Sequence, residues 1–270
     1  MKQKHILIAA LFVAVALCAA LVPAENSSSK SNRATDTKQD SIDLLEVTMP
    51  DGTPDVECLY EGFTVHFNPG KHLANFAAWE VSPEKVSCET TSRRHARFAA
   101  DPDVEGCATL DDYRNSGYDR GHLAPAADMK WSVGAMHDCH YLTNIVPQDN
   151  SVNAGAWANV EKNTRNWAQR YGNLYIVAGP VLSDRLIRHI GDTPVPVPER
   201  LFKVIIAPNA DPPQGIAFLM PNHPFKGGSQ ATVTSIDEIE LITGMDFFHN
   251  LPDGIENIVE SQHSIAVWNH

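Results

Sequence analysis

Some short runs of this chain alternate apolar and polar residues or are rich in β-branched residues, and others are continuously apolar; both patterns are typical of β-strands. Gly, Pro or Asn residues stand close to the ends of these runs, as they do at turns. The runs cover residues 62–69, 77–81, 174–181, 201–207 and 215–220. The sequence therefore predicts a sheet whose later strands come from the second half of the chain.

A helical period follows between residues 153 and 171. Its apolar positions are spaced by three, four and three residues and share one helix face: Trp157, Val160, Thr164 and Trp167. We expect this face to pack on the core, and Gly172 to end the helix. Because strands and helices mix without a regular βαβ rhythm, the sequence favours an α+β fold over a doubly wound sheet.

The N-terminus has the character of a secretory signal peptide. Lys2 and Lys4 precede an uncharged apolar run over residues 6–22, and Val22 and Ala24 are small residues two positions apart. A retained membrane anchor is the alternative, because the run approaches the length of a spanning helix. We expect cleavage after Ala24, and hence a secreted or periplasmic protein without stable membrane association.

The rest of the chain divides into a spacer and one domain. After the signal peptide at residues 1–24, residues 25–43 are rich in serine and charged side chains. Such a composition cannot bury enough apolar surface to offset its ordering entropy, so we expect a flexible spacer there. Residues 44–270 contain no comparable linker and no internal repeat, which predicts a single domain.

The charge balance limits how the protein could bind a polyanion. Among its 270 residues, 21 Lys and Arg oppose 33 Asp and Glu, giving a net charge of −12. Nucleic acid is therefore not held by the charge of the whole surface, and it would have to meet a local basic patch or a metal ion. One candidate patch has no acidic residue and contains Arg93, Arg94, His95 and Arg97.

Export would place the cysteines in an oxidising compartment, where disulfide bonds are favoured over reactive thiols. Four cysteines follow the signal peptide, and three pairings are possible. We predict the sequential pairs, Cys58 with Cys88 and Cys107 with Cys139, because each would close a loop of about thirty residues.

Zinc binding is an alternative role for Cys139, which lies between His137 and His140. Structural zinc sites are usually built from two pairs of ligands at short spacing. The sequence offers no second pair of this kind, so the disulfide interpretation is preferred.

The clearest chemical signal is the motif YDRGHLAP, which contains Arg120 and His122. Histidine can take a proton from water near neutral pH, and arginine binds phosphate oxygens with a fixed fork of donors. Taken alone, this cluster could also be an ordinary surface turn.

Polar residues along the predicted helix add a second signal. Asn153, Glu161 and Arg165 could present an amide, a carboxylate and a guanidinium to one cleft, since they are separated by multiples of four residues. Amide and carboxylate oxygens are ligands appropriate to Mg²⁺ or Mn²⁺. Taken singly, Asn153 could be a helix cap and Glu161 with Arg165 a solvated ion pair.

Three segments in order resemble the DNA/RNA non-specific endonuclease family of the ββα-metal (His-Me finger) type: YDRGHLAPAADM, YLTNIVPQ and NAGAWANVEKNTR. The resemblance extends from GFTVHFNP to SIDEIELITGMDFFHNLPD and so covers nearly the whole predicted domain. It implies an α+β fold with a mixed, largely antiparallel sheet flanked by helices, and a ββα-metal finger as the active site.

The resemblance also implies roles for the residues around the metal. His122 matches the general base that activates the attacking water. Asn153 matches the one side chain that holds the divalent metal directly, with Mg²⁺ expected and Mn²⁺ possible. Glu161 matches the carboxylate that orients metal-bound waters.

Other positions match the residues that surround this centre. Asn144 matches the amide that helps to position the histidine, while Arg120 and Arg165 would steady the phosphate. Asp119 is expected to organise the local turn rather than to act on substrate. The family also has an upstream phosphate-binding arginine, and the spacing leaves open which of the three arginines at 93, 94 and 97 it is.

The function implied by the resemblance is a metal-dependent, sugar-nonspecific endonuclease acting on DNA and RNA and leaving 5′-phosphate ends. Two alternatives come from different classes. One is a phosphodiesterase of the same fold that acts on small nucleotides or other phosphodiesters. The other is a nucleic-acid-binding protein that has lost turnover.

Overall fold

The computed structural model describes residues 44–92, 96–182 and 187–269. The predicted signal peptide and the predicted spacer lie outside these ranges, as do Arg93 and Arg94. Within them, no helix combines the length and the apolar character needed to cross a bilayer.

Strands make up most of the regular structure. In chain order they are β1 (Val47–Thr48), β2 (Val56–Tyr60), β3 (Phe63–Asn68), β4 (Leu73–Val81), β5 (Asp119–His122), β6 (Ile145–Gln148), β7 (Leu174–Val181), β8 (His189–Ile190), β9 (Val195–Pro196), β10 (Arg200–Ala207), β11 (Gln214–Pro221), β12 (Val233–Thr234) and β13 (Asp246–Phe247). The strand runs predicted from the hydrophobic pattern correspond to β3, β4, β7, β10 and β11.

Helices connect and cover these strands. The α-helices are α1 (Pro83–Ser87), α2 (Leu110–Tyr113), α3 (Val133–Asp138), α4 (Ala158–Tyr171), α5 (Ile236–Thr243), α6 (Asp253–Glu260) and α7 (Ile265–Trp268). Short 3₁₀ turns occupy Ala126–Asp128, Leu142–Asn144 and Ser229–Thr232, and a π-helical turn occupies Val152–Trp157.

One seven-stranded sheet forms the centre of the molecule, in the order β12-β11-β10-β7-β4-β3-β2. Every neighbouring pair in it is antiparallel. β5 and β6 pair separately from this sheet, also antiparallel. The predicted α+β fold with a largely antiparallel sheet is confirmed.

Apolar side chains cover both faces of the sheet, because successive residues of a strand point to opposite faces. In β10, Leu201 and Ile205 join the core beneath α4, whereas Phe202 and Val204 join the core beneath α5 and α6. Each such buried side chain contributes about 1.5–3 kcal/mol. Lys203 lies between them on the α4 side, so one charged residue is buried in an otherwise apolar strand.

The helix predicted over residues 153–171 is present, but its start differs from the prediction. The π-helical turn Val152–Trp157 precedes α4, and within it Gly155 has non-helical φ/ψ of −108° and −105°. The helix ends at Gly172, whose φ of 84° suits a residue without Cβ. The predicted apolar stripe is buried along its full length.

The predicted disulfide bonds are wrong, because no disulfide bond joins any two of the four cysteines in the described part of the chain. Cys58 is buried in β2 while Cys88 is exposed at the end of α1, and Cys139 is buried at the end of α3 while Cys107 is only half-buried. Burial raises the pKa of Cys58 and of Cys107 to about 11. Both thiols therefore stay protonated near neutral pH.

Candidate active site

The motif DRGH forms the whole of β5 and pairs with β6, so that Asp119 lies opposite Gln148 and His122 opposite Ile145. The π-helical turn and α4 follow β6 closely, and together they make a ββα unit. Since alternate strand residues share a face, Arg120 and His122 point to the same side of this unit.

A cleft of about 400 Å³ opens between β5 and the beginning of the helix. Arg120, His122, Asn153 and Glu161 all contribute to its walls. Four of the side chains predicted from the sequence therefore converge in one place. They place an imidazole, a guanidinium, an amide and a carboxylate around one cleft.

Asp119 orients the amide of Asn153. The Asn153 Nδ2 donates to Asp119 Oδ2 at 2.9 Å, and Asn150 Nδ2 donates to the same oxygen at 2.9 Å. With its nitrogen engaged in this way, Asn153 can offer Oδ1 to a cation in the cleft. An amide oxygen and the carboxylate of Glu161 in the walls of one cleft fit Mg²⁺ or Mn²⁺, which take hard oxygen ligands and keep several waters.

Phe98 contacts two residues of the cleft, His122 and Arg120. Its ring centroid lies 5.3 Å from that of His122, and the Arg120 guanidinium carbon lies 4.6 Å above the same ring. Trp157 fixes the strand from the other side, because its Nε1 donates to the His122 carbonyl at 3.1 Å. Sequence reasoning assigned Trp157 to packing and gave Phe98 no role.

Asn144 is buried and supports the segment that follows His122. Its Nδ2 donates to the carbonyls of Ala124 and Cys139, both at 2.9 Å, and its Oδ1 accepts from the Ala124 amide at 3.0 Å. The side chain is not among those lining the cleft. The contacts thus give Asn144 a positioning function, through the backbone next to the candidate base.

Replacement of Asn144 by alanine is expected to lower the free energy of unfolding by about 3 kcal/mol, because each buried polar group left without a partner costs about 1–3 kcal/mol. Urea denaturation followed by tryptophan fluorescence measures this loss. Asn166→Ala, at an exposed position of α4, is the control and should change stability by no more than about 0.5 kcal/mol. A loss below about 1 kcal/mol for Asn144→Ala would contradict the positioning function.

Arg165 lies beside the cleft in an ion pair. Its Nη1 donates to Asp128 Oδ1 at 2.9 Å, and Trp79 Nε1 donates to Asp128 Oδ2 at 3.0 Å. The Asp128 carboxylate is buried, so it needs both donors. Arg165 is not among the side chains lining the cleft, and its contact with a substrate phosphate stays a prediction.

A buried lysine lies below Glu161. Lys203 is 1% exposed, and its Nζ lies 4.3 Å from the ring centroid of Trp157 and 5.2 Å from that of Trp79. Burial raises the pKa of Glu161 to about 7, against the opposing influence of Lys203. Burial also lowers the pKa of Lys203, while the charge of Glu161 acts to raise it.

Lys130 is a cleft residue that sequence reasoning missed, although it directly follows the segment YDRGHLAPAADM. Its Nζ lies 2.6 Å from Glu89 Oε1 and adds a second cation to the wall. Arg97 is exposed and is not among the side chains lining the cleft. The other two candidates for the upstream arginine lie outside the described residues.

The structure does not bring together the three residues that the zinc alternative requires. His137 is exposed and lies 3.3 Å from Asp138, whereas Cys139 and His140 each offer a ligand atom within 4.8 Å of one on His122. Within the described ranges this group provides three ligands, and structural zinc is bound by four. The alternative trio of His137, Cys139 and His140 is therefore not assembled.

Comparison with known proteins gives a consistent result. The family model described as DNA/RNA non-specific endonuclease matches residues 40–254. "Nuclease EXOG, mitochondrial" of Mus musculus is 32% identical over 209 residues, which cover 71% of this chain and 56% of that protein. "Endonuclease G, mitochondrial" of Homo sapiens is 33% identical over 205 residues, covering 71% and 69%. The chain thus spans little more than half the length of its EXOG relative.

A solved structure agrees on the fold. It is described as the crystal structure of an EndoG/EndoGI complex, and it matches with a TM-score of 0.70 at 22% sequence identity. The match covers 83% of this chain and 95% of the other. At this identity the comparison supports the α+β architecture alone.

The predicted secreted or periplasmic location is wrong. The relatives found here are mitochondrial nucleases, which contradicts export. The prediction depended on a local feature of residues 1–24, which lie outside the described part of the chain. Without export there is no reason to expect an oxidising compartment, which was the basis of the disulfide prediction.

Proposed function

The chain belongs to the DNA/RNA non-specific endonuclease family, and from this premise we propose that it is a metal-dependent hydrolase that cuts phosphodiester bonds within DNA and RNA. The observation that carries the proposal is the convergence of Arg120, His122, Asn153 and Glu161 in one cleft. No pair of these residues would suffice, because the reaction requires a base, a phosphate-binding cation and a metal ligand together.

The proposed mechanism follows from the difficulty of the reaction. A phosphodiester carries a negative charge that repels the nucleophile, so the site has to supply a base and to neutralise charge on the phosphate. His122 accepts the proton of the attacking water. Arg120 binds the non-bridging oxygens, and Lys130 adds positive charge on the same wall of the cleft.

Asn153 would hold the metal through Oδ1, and Glu161 would order the waters of the cleft around it. A bound Mg²⁺ or Mn²⁺ supplies charge stabilisation at the departing 3′ oxygen. Cleavage on that side leaves products with a 5′-phosphate and a 3′-hydroxyl. Sequence preference should be weak, since contacts to the phosphate backbone carry little information about the bases.

Digestion of supercoiled plasmid and of single-stranded RNA by the purified chain, with Mg²⁺ and with excess EDTA, tests this function. We expect both polymers to be cut only with metal, and the new ends to accept ligation as 5′-phosphates. Failure to cut either polymer under any metal condition would refute the proposal. Retention of DNA without cleavage would then favour the alternative of a binding protein.

An oligonucleotide length series separates the endonuclease from the phosphodiesterase of the same fold. The net charge of −12 is the observation that favours small substrates, because long polyanions profit most from an extended basic groove. If the protein is an endonuclease, the cleavage rate per oligonucleotide should rise with the length of the oligonucleotide. A preference for dinucleotides would reverse the assignment.

The rate of polymer cleavage is expected to fall steeply between low and physiological ionic strength. The cleft cations Arg120 and Lys130 form a small positive patch on an acidic protein, and such a patch is screened within about 10 Å at 0.1 M salt. Initial rates on a fixed plasmid concentration across a KCl series measure the effect. A rate that does not change over this range would contradict binding through a local patch.

A further inference from the structure

A second group of acidic side chains lies on the face of the sheet opposite α4. Asp237 and Glu240 belong to α5, and Glu260 is the last residue of α6. Each offers a carboxylate oxygen, and these atoms all lie within 4.8 Å of one another. Both helices pack on the core beneath this face, through Ile239 and Val259 among others, so the packing of α5 and α6 brings the three carboxylates together.

Glu260 is the buried member of this group. The residue is 9% exposed, and its Oε1 has no hydrogen-bond partner among the described residues. Glu240 is half-buried, with Oε1 accepting from the Phe247 amide at 2.8 Å, and Asp237 is exposed. A buried carboxylate oxygen without a donor is costly, and a proton or a bound cation would each lower this cost.

The electrostatic surroundings of Glu260 are negative. Burial, and then the charges of Glu240, Glu256, Asp237 and Asp246, raise the pKa of Glu260 to about 8. His249 is a positive influence on Glu256 when it is protonated. The repulsion among these carboxylates can be relieved by protons or by a cation bound between them.

The chemistry of the three side chains indicates which metal ion they would bind. All the candidate ligands are carboxylate oxygens, which disfavours soft metals that prefer sulfur or imidazole. Ca²⁺ takes six to eight oxygen ligands in flexible geometry, including bidentate carboxylates and water. The exposed side of the group at Asp237 gives access for the ion and for its remaining waters.

We propose that Asp237, Glu240 and Glu260 bind a calcium ion that ties α5 to α6. The site is independent of the cleft, because it lies on the other face of the sheet and shares no residue with it. Its role is structural, since the ion joins two helices that cover one core. Neither the family membership nor the proposed nuclease reaction enters this inference.

Calcium titration of the full chain carrying Asn153→Ala tests the proposal while metal binding in the cleft is weakened. Calorimetry with Ca²⁺ alone is expected to show one ion bound per chain. The melting temperature should rise by about 5 °C at a free Ca²⁺ concentration of 100 times Kd, as expected for ligand binding to the folded state of a chain this size. The absence of saturable binding would overturn the proposal.

Charge-neutral variants locate the ion. Glu240→Gln and Glu260→Gln should each lose most of the calcium-dependent rise in melting temperature. Glu238→Gln, which changes an exposed residue on the same helix as Glu240, should keep this rise. Removing a charge can itself stabilise the metal-free protein, so each variant is compared with its own metal-free melting temperature. A calcium-dependent rise that persists in the Glu240→Gln/Glu260→Gln double variant would refute the site.

Discussion

Replacing His122 with alanine is expected to slow cleavage of DNA and RNA by a factor of about 10²–10⁴, the usual contribution of a positioned general base. His122 lines the cleft with Arg120 and Asn153, so its loss removes the proton acceptor and leaves the other groups in place. Single-turnover cleavage of plasmid at saturating Mg²⁺ measures the step in which the proton is transferred.

His137→Ala is the matched control for this variant. His137 lies on α3 close in sequence to the site residues, but it is exposed and is not among the side chains that line the cleft. We expect it to keep the wild-type rate within about twofold, because His137 does not line the cleft. If circular dichroism shows that His122→Ala is folded and the variant keeps more than one tenth of the wild-type cleavage rate, His122 is not the base.

The second large effect is expected for Lys203→Met, which should lower the free energy of unfolding by about 3–5 kcal/mol. Methionine has a similar length and can pack between Trp79 and Trp157, so the loss would come from the charge rather than from a cavity. Without the ammonium, the carboxylates of Glu161 and Asp128 lose a buried cation that offsets their charge. Urea denaturation measures the difference.

Two comparisons separate the charge interaction of Lys203 with Glu161 from general damage to the fold. Lys162→Met changes an exposed lysine on α4 and should alter stability by no more than about 0.5 kcal/mol. In a double-mutant cycle, Glu161→Gln together with Lys203→Met should cost less than the sum of the single changes, because the unpaired charge is gone. Strict additivity, or a loss below about 1 kcal/mol for Lys203→Met, would show that the pair does not interact.

Much of the fold could be predicted from local pattern, because the period of the apolar residues records which face is buried. The run at residues 201–207 predicts β10, and the stripe from Trp157 to Trp167 predicts the buried face of α4. The role of Lys203 could not be predicted in this way. A lysine in an apolar run is explained only by partners on other elements, here Glu161 and Asp128.

The residues of the candidate site and their roles were predicted from the sequence, but the contacts that some of these residues make were not. The motifs indicate Arg120 and Asn153, which the structure places in the cleft. They do not show that Asp128 takes the guanidinium of Arg165, or that Asn144 binds only backbone groups. Whether a side chain faces a cleft or supports it depends on what packs between them, which spacing along the chain does not record.

The errors also have a physical reason. The apolar run near the N-terminus led to the prediction of export, and this in turn led to the predicted disulfide bond between Cys58 and Cys88. A disulfide requires Cα atoms within about 7 Å, a condition set by tertiary packing and not by even numbers of cysteines. The acidic group at Asp237, Glu240 and Glu260 was missed for a related reason, since it forms only when α5 and α6 pack together.

The most direct test of the central claim, that the cleft is a metal-dependent hydrolytic centre, is the Mg²⁺ dependence of plasmid cleavage for Asn153→Ala beside Asn150→Ala. Both asparagines donate to Asp119 Oδ2 at 2.9 Å, but only Asn153 lines the cleft. We predict that Asn153→Ala raises the half-saturating Mg²⁺ concentration by about tenfold or more, whereas Asn150→Ala leaves it close to the wild-type value. Equal Mg²⁺ dependence in the two variants would contradict the account.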